Sequence, residues 1–303
     1  MEKTSEIRCF ACTTPALALM VALTLCGCAA QSFTMKSATQ AAVKGDPRAQ
    51  YFLATHYAKG EGVPKDDAKA AEYMREAAES GYAFAQNDLG VYYTLGRGVK
   101  QDPIEAAKWF RQAAEQGDPL GEYSLGFIYF QGSGVPRDVH QAIQWYARAG
   151  KQKQPDAAAA LGNLYLFGGE GVGINFSEAS KWYQIGAEQK NAICLNELGF
   201  LYERGTGVPK NPRKAAQYYR EAAERGYVRG YTNLGQLYVD GFLLKENLVE
   251  AYKWFTIGSD EGDAMARHYK DLIDQQHPLS EKQKAQAHRE AQKYEAGRKK
   301  AKG

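Results

Sequence analysis

Few side chains in these 303 residues are spaced for chemistry. The richest glycine run is Gly168-Gly169-Glu170-Gly171-Val172-Gly173. A dinucleotide or Walker loop needs a strand before it and a helix after it, so that backbone N–H groups converge on a phosphate. Here the glycine pairs join one helical pattern to the next, so phosphate binding is not expected. The five histidines, His56, His140, His268, His277 and His288, include no i,i+4 pair and no cysteine partner at zinc spacing. No metal site and no cofactor are expected from such spacing. No nucleophile elbow is present either. Any catalysis would require a constellation assembled in space from distant residues.

The cysteines point to a different chemistry. Lys3 and Arg8 precede an apolar run from Pro15 to Leu25. The run is too short for a permanent membrane span and suits the apolar region of a signal peptide. Leu25-Cys26-Gly27-Cys28 follows at once and resembles a bacterial lipobox. That resemblance implies a lipoprotein signal peptide over 1–27, cleavage before Cys28, and a diacylglycerol and palmitate anchor on Cys28. Each buried methylene contributes roughly 0.8 kcal/mol, so two or more acyl chains hold firmly. Ala29, where Asp would imply inner-membrane retention, favours the outer membrane with the body facing the periplasm. The alternative is ordinary cleavage after Ala30 and secretion to the periplasm. Cys194 alone then remains in the body, so no disulfide framework is available.

Composition bounds the partners. Apolar residues make up 44% and charged residues 24%, which describes a globular chain. Lys and Arg number 38 against 35 Asp and Glu, a net charge of +3. Ten basic and six acidic side chains fall in residues 263–303, so the body between has no basic face by net count. Nucleic acid is therefore not an expected partner. With 31 Gly and only 10 Pro, collagen and Pro-rich linkers are excluded.

Whatever binds must be positioned by a repeat. Leu53, Leu89, Leu125, Leu161, Leu198 and Leu234 recur every 36 residues, once 37. A small residue follows each (Ala54, then Gly90, Gly126, Gly162, Gly199 and Gly235), and a Tyr stands four later, from Tyr57 to Tyr238. These offsets mark one face of a first helix. Glycines end it, at Gly60/Gly62, Gly96/Gly98, Gly132/Gly134, Gly168/Gly171, Gly205/Gly207 and Gly241. A second helix is expected from Asp66, Asp102, Asp138, Asn175, Asn211 and Asn247, all N-cap types. Glu105, Gln141, Glu178 and Glu250 stand where a capping box would place them. An alanine column from Ala70 to Ala251 leads to Tyr73, Trp109, Trp145, Trp182, Tyr218 and Trp254 three residues on. The last column could be a sugar-stacking ladder, but its periodicity assigns it to the core.

The columns, together with Gly60-Glu-Gly-Val-Pro-Lys-Asp66 and the Gly-x-Gly-Val-Pro of 132–136 and 205–209, resemble Sel1-like repeats, relatives of the tetratricopeptide repeat. The resemblance covers 46–262. It implies an all-α fold, an α/α solenoid (right-handed superhelix) of about six helix pairs with helical caps. Residues 28–45 read as a linker and a capping half-repeat. Residues 263–296 read as capping helices, the last starting at Ser280 with Gln283 as its capping box and Leu279, Ala285, Ala291 and Tyr294 as its packing face. Residues 297–303 read as a basic tail outside the fold.

In tetratricopeptide-like stacks the non-core face of the first helix lines a concave groove where extended partners bind. Two residues before each Leu stand Tyr51, Asn87, Tyr123, Ala159, Asn196 and Thr232; two after stand Thr55, Val91, Phe127, Asn163, Phe200 and Gln236. Amides there could bond a peptide backbone and aromatics could pack its side chains. Tyr51, Asn87, Tyr123, Asn163, Asn196 and Gln236 are the candidate partner-binding residues. The expected function is a non-enzymatic scaffold of the cell envelope that binds a protein or peptide partner and reaches the membrane through a lipid anchor. The alternative is a hydrolase of β-lactam or peptidoglycan, linked to cysteine-rich relatives. Those relatives carry a Cys pair in each repeat, and this body has only Cys194.

Overall fold

The structure, a computed structural model, describes residues 33–302 except 170, 240 and 242–246. The expected signal peptide, Cys28 and the residues up to 32 lie outside the described residues. Those described form fifteen helices and one isolated antiparallel bridge, Gly169 to Val172. The first is α1 (Met35–Val43), the capping half-repeat. Six pairs follow: α2 (Pro47–Lys59) with α3 (Asp67–Glu79), α4 (Ala83–Leu95) with α5 (Pro103–Glu115), and α6 (Pro119–Gln131) with α7 (Val139–Lys151). Then come α8 (Pro155–Phe167) with α9 (Phe176–Glu188), α10 (Ala192–Arg204) with α11 (Pro212–Glu224), and α12 (Arg229–Val239) with α13 (Leu248–Asp260). The chain closes with α14 (Ala264–Gln276) and α15 (Glu281–Lys302). From α1 to α14 each helix packs on its neighbours in sequence, which is the α/α solenoid the repeat requires, and α15 packs on α13. Among the described residues no helix is long and apolar enough to cross a membrane.

Every second helix starts at the expected cap. Asp66, Asp102, Asp138, Asn175, Asn211 and Asn247 each accept a backbone N–H of the first turn. The reciprocal half of the expected capping box is replaced. The N-cap N–H donates instead to the carbonyl of the recurring Tyr, at 2.9 Å for Asp66 to Tyr57 and 3.0 Å for Asp102 to Tyr93. The same bond runs from Asp138 to Tyr129, Asn175 to Tyr165, Asn211 to Tyr202 and Asn247 to Tyr238. With that donor taken, Glu105, Glu178 and Glu250 turn to Lys108, Lys181 and Lys253 one turn on. The loop geometry is thus fixed by backbone, which is why its glycines matter. A Cβ on Gly98 or Gly134 would collide with the carbonyl of Asp67 or Pro103 in the preceding repeat.

The centre of the core lies one residue beyond the tryptophan column. Met74, Phe110, Tyr146, Tyr183, Tyr219 and Phe255 are at most 4% exposed. Each ring from Phe110 to Phe255 lies against the small residue of its own first helix. A Cβ added to Gly90 would stand 2.6 Å from Phe110 Cε1, one on Gly126 2.7 Å from Tyr146 Cδ1, and one on Gly199 2.8 Å from Tyr219 Cδ1. The first repeat uses Ala54 and sets the unbranched Met74 in the same cluster. Trp109, Trp145 and Trp182 are only half-buried, at the rim of these clusters. Trp254 is 3% exposed, because α15 folds back over α13 and lays Ala291 and Tyr294 on it.

That return corrects two expectations. The packing face of α15 is Leu279, Ala287, Ala291 and Tyr294; Ala285 is exposed, since the helix meets α13 rather than its own first helix. Residues 297–302 of the expected tail belong to the fold: α15 runs through Gly297 to Lys302, and Arg298 donates to Tyr231 Oη at 2.6 Å and pairs with Glu261. The Ser280 box forms as expected, with Ser280 N–H donating to Gln283 Oε1 at 2.9 Å.

Candidate partner-binding groove

First helices of successive pairs approach one another at α4/α6, α8/α10 and α12/α14, so they form the inner wall of the stack. Each presents two candidate columns on this wall. On a helix of 3.6 residues per turn, positions two before and two after a given Leu are only about 40° apart. Packing separates them. The column two before turns into the neighbouring repeat: Asn87, Ala159, Asn196 and Thr232 are 5–6% exposed, and Tyr51 and Tyr123 are half-buried. The column two after faces outward, with Val91 37%, Phe127 44% and Phe200 36% exposed.

The buried column is a hydrogen-bond ladder between repeats. Tyr51 Oη donates to Asp88 Oδ2 at 2.8 Å, Ser124 Oγ donates to Asn87 Oδ1 at 2.8 Å, and Asn233 Nδ2 donates to Asn196 Oδ1 at 2.8 Å. Each rung joins residues 37 apart. The amide groups of Asn87 and Asn196 donate to Asp88 and Glu197 beside them. Both asparagines are therefore withdrawn from the candidate partner surface: they are buried, and a second repeat already holds their carbonyl oxygens. The same applies to the Tyr51 hydroxyl. Tyr123 and Asn163 remain on the groove wall, with Asn163 Oδ1 accepting from Tyr183 Oη at 2.7 Å. Gln236 is half-buried in α12, away from the groove centre.

The ladder breaks in the middle. Where its next rungs would fall, the chain has Ala159 and Ala160, which carry no polar atom. The space left is a cavity of about 410 Å3 between α6, α8 and α10. Tyr123, Phe127, Phe130, Leu164, Phe167 and Ile193 wall it. A second depression of about 800 Å3 adjoins it over α4 and α6, sharing Tyr123 and Phe127 and reaching Val91 and Leu95. Phe167 and Leu95 are 71% and 68% exposed. The aliphatic and aromatic residues beyond the two columns, Leu95, Phe130, Phe167 and Ile193, were missed by column reading. Their signal is apolar residues on a helix whose Leu face is already complete.

Burial shifts the polar groups of this wall. Burial holds the Asp88, Asp118 and Glu197 carboxyls above the usual carboxylate range, against the hydrogen bonds each accepts. Burial likewise pushes the Cys194 thiol up to about 12, where it packs behind the wall on Gly186. Among the described residues no three His, Cys, Asp or Glu side chains gather as a cation site.

Comparison with known proteins agrees with the architecture. The family model of the Sel1 repeat matches residues 47–82, 83–118, 119–153, 155–191, 192–227 and 228–263. A protective antigen of uropathogenic Escherichia coli with the SLR fold superposes with a TM-score of 0.75 at 31% identity, over 86% of this chain and 56% of that one. A Sel1 repeat protein from Oxalobacter formigenes superposes with a TM-score of 0.66 at 31% identity, over 75% of this chain and 99% of that one. A component of an ERAD-associated E3 ubiquitin-protein ligase from Arabidopsis thaliana is 34% identical over 91 residues, 30% of this chain and 14% of that protein.

Proposed function

The chain belongs to the Sel1 repeat family, and from that premise we propose that it is a non-enzymatic scaffold that grips a protein partner along its inner wall. One observation carries the reading. The apolar side chains of Val91, Leu95, Phe127, Phe167 and Ile193 are 37–71% exposed and line continuous depressions instead of being scattered. Contiguous exposed apolar surface of this kind marks an interaction site. The likeness of one segment to a subunit of a multi-protein ligase supports an adaptor role.

The envelope address belongs to the same proposal. The lipobox at Leu25–Cys28 supports a lipid anchor on Cys28 in the outer membrane, with the solenoid facing the periplasm. Cys28→Ala should end palmitate labelling and release the protein from membranes; unchanged labelling overturns the anchor. The scaffold reading is tested by placing a photo-crosslinking amino acid at Phe127 in cells, with Lys108 on the outer layer as the control position. Adducts confined to position 127 support it. Adducts at both positions alike, or at neither, overturn it.

A further inference from the structure

The groove has a charge as well as a shape. The first helices of three consecutive repeats, α4, α6 and α8, contain no Lys, Arg or His, and each carries a carboxylate. The cations of these repeats lie on their second helices: Lys108 and Arg111 on α5, Arg148 and Lys151 on α7, and Lys181 on α9. The outer layer thus carries both signs, whereas the inner wall over these three repeats carries carboxylates and no cation.

The carboxylates bracket the apolar centre. Asp88 lies on one side, held by Tyr51 and Asn87, and Asp118 is near enough for the two charges to oppose one another. Asp156 lines the cavity itself and accepts from Asn191 Nδ2 at 3.1 Å. Glu197 follows on α10, bonded to Asn196, with Arg229 the cation that reaches it. Asp88, Asp118 and Asp156 are held by neutral donors. Asp88 and Asp118 are partly removed from water, and a carboxylate held there only by dipoles gains from an incoming cation; Asp156 is exposed at the cavity and can meet one directly. Glu122 takes no part: it is buried on the other side of α6 against Arg148.

We infer that the occupant of the groove is a cationic amphipathic segment of a partner protein. Its aromatic or aliphatic anchor enters over Ala159 and Ala160, between Phe127 and Phe167. Lys or Arg residues on either side of the anchor meet Asp88 and Asp118 at one end, and Asp156 and Glu197 at the other. The inference rests on the scaffold reading above and adds the chemistry of the partner to it.

The test is a fluorescence-anisotropy titration of the whole chain with a labelled peptide of Leu, Phe and Lys in amphipathic order. A peptide with Glu in place of each Lys is the control. The Lys peptide should bind and weaken as salt rises, because exposed charge pairs are screened. Asp88→Asn with Asp156→Asn should weaken it about fivefold or more, and Phe127→Ser about tenfold or more, with circular dichroism melts confirming that both variants fold. Lys108→Glu on the outer layer should leave it unchanged. Equal binding of the Glu peptide, or full binding by Phe127→Ser, overturns the inference. If neither peptide binds while position 127 still crosslinks a protein in cells, the cationic occupant is wrong and the scaffold reading stands. A concentration-dependent dimer that Phe127→Ser dissolves would assign the groove to a second copy of this chain, and also overturns it.

Discussion

Gly90→Ala should destabilise the protein although alanine is the better helix former. Gly90 lies inside α4, where alanine gains about 1 kcal/mol of helix propensity. The added Cβ would stand 2.6, 2.7 and 3.0 Å from Cε1, Cδ1 and Cζ of Phe110. Carbon atoms rest at about 3.5–4.0 Å, so ring or backbone must shift by roughly 1 Å. Phe110 is 4% exposed and shares its cluster with Ala106, Leu125 and Ile128, so it has little room to move. Overpacking of this kind costs about 1–3 kcal/mol. Set against the propensity gain, the net loss is up to about 2 kcal/mol. The first repeat, with Ala54 and Met74, supplies the compensating partner. Phe110→Met in the Gly90→Ala background should cost less than alone, with a coupling of at least about 1 kcal/mol. Gly297→Ala is the control: nothing lies within 4 Å of that Cβ, so stability should rise by a few tenths of a kcal/mol up to about 1. Urea titrations followed by far-ultraviolet circular dichroism measure all four. Gly90→Ala matching the parent, or single effects that simply add, would refute the argument that the ring dictates the glycine.

Asn87→Ala breaks a rung and leaves the Ser124 hydroxyl without its acceptor, so it should cost about 1–3 kcal/mol in a thermal melt; an unchanged melt would remove the ladder from the account of stability. The Cys194 thiol, pushed by burial up to about 12, should react with Ellman's reagent at pH 8 only after unfolding; native-state labelling at the rate of a free thiol contradicts its burial. Because burial raises the Asp88 carboxyl above its unfolded value, its charge opposes folding fully above the folded value and not at all below the unfolded one. The stability of Asp88→Asn relative to the parent should therefore fall as pH drops from 7 to 3, and a pH-independent difference would remove the desolvation argument. Arg298→Ala should loosen the end of α15 and redden Trp254 emission, since α15 is what covers that ring; an unshifted spectrum would mean α15 stays docked without the Tyr231 and Glu261 contacts.

Much of the fold was legible because a solenoid is held by local, repeated contacts. The six caps from Asp66 to Asn247 stand where their residue types place them, since an N-cap is a bond between neighbours in sequence. The capping boxes were half right. Whether Glu105 reaches back to its cap depends on what else claims that N–H, and the claimant, the Tyr93 carbonyl, sits across a loop. The α15 return was hidden for the same reason: no pattern within residues 281–302 records that α13 is left with an uncovered Trp254.

The site divides along the same line. The sequence by itself determined the 36-residue period, the two-helix unit, the caps, and the wall on which variable residues must lie, because each follows from chemistry within one turn or one loop. It left the two columns flanking each Leu equivalent, since they differ by about 40° on the helix. Only the tertiary structure decided that Asn87 and Asn196 turn inward to bond the next repeat while Val91, Phe127 and Phe200 stay open. That choice depends on where the neighbouring first helix lies. It also turns Ala159 and Ala160 from two more small helical residues into the floor of a cavity.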